Sequence, residues 1–172
     1  MVDFFLKRKI KQLRRQHSRN KRFMNYADLR RICILFDVAD YEHIVPLVDE
    51  LLADGKGVIA WTYAAKGMIA KDYPAHYNVI SDRDLTFCYF PKKYLMNRYL
   101  GYPADLLIDL CYTPHILNEY LVAVSPALYR LGLKTADPLW YDLIVDISGQ
   151  EKEEMEKNAA SVLFYLKSLR VK

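Results

Sequence analysis

The sequence predicts an α/β protein, a three-layer α/β/α sandwich of five or six mostly parallel strands preceded by a basic amphipathic helix. Three observations carry that expectation. Apolar runs such as Arg31-Ile-Cys-Ile-Leu-Phe-Asp37 are continuous rather than alternating, the pattern of strands covered on both faces. Segments with a helical apolar stripe separate these runs, so strand, helix and strand recur at the spacing of βαβ units. Charge is divided along the chain: residues 1–31 hold 11 Lys and Arg against 2 Asp, whereas residues 32–172 hold 14 against 19 Asp and Glu.

From the N-terminus, Val2, Leu6, Ile10 and Leu13 recur at steps of four, four and three, one narrow face of a helix of roughly 18 residues with His17 at its edge. The wide opposite face carries Lys7, Arg8, Lys11, Arg14, Arg15 and Arg19, with Lys21 and Arg22 just beyond. The chain length of 172 residues suits one globular domain, so residues 1–28 read as a helical arm and 29–172 as a single α/β domain. After the first strand, Asp40 precedes a helix faced by Ile44, Leu47, Val48, Leu51 and Leu52 and stopped at Gly55. Lys56–Trp61 is the next strand, Tyr77–Ile80 a short strand within a long loop, and Leu85–Phe90 a further strand. A short helix from Pro91, a buried strand over Ala104–Leu110 and a helix opened by Thr113-Pro114 follow. Ala127–Leu133 and Tyr141–Ile147 are the last strands. Ser148-Gly-Gln-Glu151 then has capping-box spacing ahead of a helix striped by Met155, Ala159, Val162, Leu166 and Leu169.

Three of the strands finish on an acid: Asp37, Asp109 and Asp146. In a parallel sheet these carboxylates share the edge where open α/β folds bind ligands, and Asp40 joins them. Converging acids of this kind hold Mg²⁺ and activate water in hydrolases and nucleases. The competing reading makes each Asp a turn residue that accepts hydrogen bonds from free backbone amides. Trp61 and Tyr63, at the end of the second strand, are candidates to line a small-molecule pocket on the same edge. Nucleotide fingerprints are absent: neither G-x-G-x-x-G nor G-x-x-x-x-G-K-[ST] occurs. His17, His43, His76 and His115 have no zinc-ligand spacing, and Cys111 stands without a basic neighbour to activate it.

The cationic face of residues 7–22 is the electrostatic footprint of a phosphate-rich partner, RNA, DNA or an anionic membrane surface. Aromatic residues for base stacking are missing between Lys7 and Arg22, so contacts would be to the backbone. The apolar start Met1–Leu6 is cut short by Lys7, Arg8 and Lys9, so neither a signal peptide nor a transmembrane segment is expected, and the location reads as cytoplasmic. Oligomeric state is not set by the sequence.

Arg31–Asp37, Asp105-Leu-Leu-Ile-Asp-Leu110, Tyr120-Leu-Val-Ala-Val-Ser125, Ala127 and Gly132 resemble an uncharacterised bacterial family of small Rossmann-like α/β proteins, a domain of unknown function. Asp105–Leu110, with the helix after it and Tyr129-Arg-Leu-Gly132, is also similar to the acceptor domain of lipopolysaccharide heptosyltransferases. Both resemblances imply a Rossmann-like fold. The expectation for function is a non-catalytic binding or regulatory module whose cationic helix contacts an anionic partner. The alternative is a Mg²⁺-dependent hydrolase or nuclease acting through Asp37, Asp109 and Asp146.

Overall fold

The computed structural model describes residues 3–16, 19–65, 68, 72–113, 115–133, 137–146 and 155–170. In chain order the elements are α1 (Phe4–Arg15), β1 (Arg31–Leu35), α2 (Tyr41–Ala53), β2 (Gly57–Ala64), β3 (Tyr77–Ser81), α3 (Lys93–Leu100), β4 (Leu106–Asp109), α4 (Ile116–Val124), β5 (Tyr129–Leu133), β6 (Leu143–Val145) and α5 (Met155–Ser168). The six strands form one sheet in the order β3-β2-β1-β4-β5-β6, and every neighbouring pair is parallel.

The continuous apolar runs are explained by covering on both sides. In β1, Ile32 and Ile34 enter one core cluster with Ile44, Val48 and Leu51 of α2 and with Val162 and Leu166 of α5. Cys33 and Leu35, pointing the other way, enter a second cluster with Leu6 and Ile10 of α1, Leu95 of α3 and Leu117 and Leu121 of α4. Helix α1 therefore docks: Leu6 and Ile10 are buried, Leu13 packs at the margin, and the following segment is tied down where Arg22 N donates to Leu128 O at 3.1 Å. Among the described residues no helix is long and apolar enough to cross a membrane.

Several local expectations need correction. The run Leu85–Phe90 is a tight turn rather than a strand: Thr86 N donates to Phe90 O at 2.7 Å, Tyr89 adopts φ 66°, and Leu85 forms an isolated antiparallel bridge with Pro91. Its apolar residues misled because they do not all pack: Phe87 is 90% exposed. Helix α4 begins at Ile116, and its cap is His115, whose Nδ1 accepts from Leu117 N at 3.3 Å; Thr113 lies ahead of the helix and Pro114 outside the described residues. Strand β6 is three residues long at the sheet edge, and Leu169 falls off the buried stripe of α5 at 40% exposure. His17, Lys71, Ile147 and the capping-box stretch 148–151 lie outside the described residues.

Candidate functional site

The strand order places the point where the chain reverses its winding between β1 and β4, and in parallel sheets ligands enter at the carboxyl ends of such strands. Asp37 follows β1 and Asp109 ends β4, so these two acids finish neighbouring strands. Asp146 follows β6, beyond β5, roughly 10 Å across the sheet from β4 at the usual strand spacing. Asp40 is buried ahead of α2. Among the described residues no group of three or more His, Cys, Asp or Glu side chains is gathered for a metal ion.

Asp109 is 3% exposed and accepts hydrogen bonds from three neutral donors: Cys111 N at 3.0 Å, Asn118 Nδ2 at 2.9 Å and the Tyr141 hydroxyl. Burial raises its carboxyl above the ordinary carboxylate range, and the three donors oppose that shift without cancelling it. Burial and then the Asp109 charge push the Cys111 thiol well up, which favours the thiol over the thiolate. Asp37 accepts from Thr113 N at 3.4 Å, a contact across the same turn. Both acids thus serve backbone amides at the switch point.

A cleft of about 560 Å³ opens against this edge. One wall is α1, which contributes Lys7, Lys11 and Arg14 at the i, i+4, i+7 spacing of a single helical stripe. The facing wall is α4 with Asn118 and Glu119, together with Trp140 and Tyr141 ahead of β6. Arg14 forms ion pairs with Asp137 and Glu119 and lies over the Trp140 ring, and Lys7 pairs with Asp3 at 2.5 Å. Lys11 is exposed and forms no ion pair among the described residues. Of the other cations read as an anion-binding face, Arg8 and Arg15 are exposed away from the cleft lining, whereas Arg19 and Lys21 both pair with Asp142.

A smaller chamber of about 150 Å³ adjoins the cleft, sharing Cys111, His115 and Asn118 with it. Trp61 and Tyr63 line it, together with Asp37. The Trp61 indole is 1% exposed and its Nε1–H is buried without a hydrogen-bond partner. Tyr63 stacks on His115 at 4.8 Å and 15°, and its hydroxyl is fixed by Asp82 at 2.6 Å and Tyr89 at 3.2 Å. Burial lowers the pKa of His115, against the opposing pull of Asp37. With Nδ1 accepting from Leu117 N, the neutral ring carries its proton on Nε2.

A match to one protein family extends over residues 3–169, taking in α1 and the whole sheet. The chain belongs to DUF6913, a family of unknown function. No curated protein and no solved structure matches this DUF6913 chain. Within it, the structure brings together Asp37, Trp61 and Tyr63, candidates read from sequence, with residues that sequence reasoning passed over: His115, Asn118, Trp140 and Tyr141. His115 carried a weak signal, a histidine directly ahead of an apolar helical stripe. Tyr141 carried none, because its role depends on β6 lying next to β5.

Proposed function

We propose that the chain is a non-catalytic binding or regulatory module that receives a small anionic ligand in the cleft between α1 and the carboxyl edge of the sheet. The carrying observation is the stripe Lys7, Lys11 and Arg14 along one wall of a cavity of about 560 Å³. Covering of the sheet on both faces supports reading the fold as a three-layer, Rossmann-like sandwich, and the free thiols of Cys33, Cys88 and Cys111 support a cytoplasmic setting. The Mg²⁺-dependent hydrolase reading ranks lower: Asp109 is engaged by three neutral donors with its pKa raised, and Asp146 stands beyond β5. Inorganic pyrophosphate is a suitable probe. Calorimetry is expected to show salt-sensitive binding that weakens at least about tenfold in Lys11→Glu; absence of binding at low salt overturns the reading.

A second reading concerns the outer face of α1, where Arg8 and Arg15 are exposed and Phe4 and Phe5 stand 58% and 50% exposed at the helix start. Exposed aromatic residues beside cations favour an anionic membrane surface over a nucleic acid for that face. Sedimentation with phosphatidylserine vesicles, compared with neutral vesicles, tests it; equal retention on both dismisses it.

A further inference from the structure

We propose that the start of α4 is a pH-sensitive device: one proton taken up by His115 releases the cap of the helix and frees its first turn, which brings Asn118 to the lining of both cavities. The inference stands apart from the identity of any ligand. His115 has φ −128° and ψ 135°, the extended backbone of a cap residue, and its Nδ1 accepts from Leu117 N at 3.3 Å. The usual caps, serine, threonine, aspartate and asparagine, accept through oxygens that remain acceptors near neutral pH. Imidazole differs, because its one acceptor nitrogen is also its basic site. The imidazolium form carries a hydrogen on both nitrogens, so a proton on Nδ1 sets two donors against each other where a hydrogen bond stood. Leu117 N is then one of the free amides of a helix start.

The surroundings decide which form prevails. Tyr63 of β2 stacks on the ring at 4.8 Å and 15°, and the Tyr89 ring stands at 6.5 Å. The Tyr63 hydroxyl is itself held by Asp82 and Tyr89, which fixes the stacked partner. Burial disfavours a charge on His115, Asp37 after β1 favours it, and burial prevails, so the ring titrates below the ordinary histidine value of about 6.5. Asp109 and Cys111 after β4 line the cleft with His115, as do Glu119 of α4 itself and Lys7, Lys11 and Arg14 of α1. Arg14 is engaged by Glu119 and Asp137 and Lys7 by Asp3, so among the described residues Lys11 is the cation of that wall left to oppose a charge on the ring. Near neutral pH the ring is neutral and the cap is closed. A histidine whose folded pKa lies below its unfolded one contributes stability that is present above about pH 6.5 and is lost as pH falls through the folded value.

Nuclear magnetic resonance of the whole chain between about pH 7.5 and about pH 4.5 tests the device. The His115 ring is expected to titrate with a midpoint below about 6.5, and the backbone amides of Leu117 and Asn118 are expected to shift with that same midpoint. His115→Asn supplies a cap acceptor that does not titrate, and is expected to remove this transition from both amides. Asp109 accepts from Asn118 Nδ2 and remains in the variant, so the difference between the two proteins belongs to His115. Amides that stay still while the ring titrates, or that shift equally in His115→Asn, overturn the proposal, as does a ring that takes up no proton above about pH 4.5. The wild-type comparison of ring and amide midpoints decides the matter should His115→Asn fail to fold.

Discussion

A methyl group on Gly132 would stand 2.5 Å from Tyr141 Cδ1, so the absence of a side chain on β5 is what lets the Tyr141 ring cross it and place its hydroxyl on Asp109 of β4. Gly132→Ala is therefore expected to displace the ring and lower stability by about 1–3 kcal/mol, read as a shift in urea midpoint. Tyr141→Phe, which keeps the packing and removes one donor from Asp109, is expected to cost about 1–3 kcal/mol as well. An unchanged midpoint in Gly132→Ala contradicts the account.

Asp109 gives the protein a pH dependence with a definite sign. Its carboxyl is raised in the fold by burial, so the stability it contributes is fully present below the unfolded pKa of about 3.9 and is lost as pH rises through the higher folded value. In Asp109→Asn that titration is gone. Urea midpoints measured from pH 4 to 7 are expected to show the wild type losing ground to Asp109→Asn as pH rises; a constant difference would refute this.

Asp142 behaves in the opposite sense, and it is the more costly residue to remove. Burial acts to raise its carboxyl, but hydrogen bonds from Arg19, Lys21 and the Arg130 N–H outweigh it and hold the group below the usual range. Its contribution is present above about pH 3.9 and is lost as pH falls through the lower folded value. Asp142→Ala leaves Arg19 and the buried Arg130 uncompensated and is expected to cost about 3–5 kcal/mol. Arg130 itself has Nε and Nη1 unpaired, and burial, with Arg19 nearby, brings its pKa down to about 10. Arg130→Met is accordingly expected to stay within about 1 kcal/mol of the wild type by chemical denaturation.

Leu6 decides whether α1 is an appendage or part of the body. It is fully buried in the cluster shared with β1, α3 and α4. Leu6→Ala is expected to lower global stability by about 2–5 kcal/mol in one cooperative transition. A separate early transition confined to α1, seen as partial loss of helical dichroism, would mean that residues 1–28 unfold independently.

The sheet was legible because a strand covered on both faces leaves a continuous apolar run, and Arg31–Leu35 and Leu106–Asp109 carry little else. The same signal failed at Leu85–Phe90, where apolar side chains sit on a turn held by Thr86 and capped through Ser81 and Asp84. Half of the site was visible as acids and aromatic residues at strand ends. The other half was hidden by the pairing order: Tyr141 is 32 residues from Asp109 in sequence and becomes its partner through the β4-β5-β6 arrangement. The cations were visible as a face, but which of them meet a cavity and which meet Asp142 depends on how α1 docks, a tertiary fact that periodicity does not encode.

The central position of β1 also has a consequence during synthesis. One flank of β1 is closed by β2 soon after it emerges, but the other waits for β4, where Asp105 accepts from Arg31 N across 74 residues of chain. At about 5–20 residues per second that interval is about 4–15 s on the ribosome, with a hydrophobic strand edge open in the middle of the nascent sheet. A chain ending before residue 106 would lack the strand that covers this edge of β1.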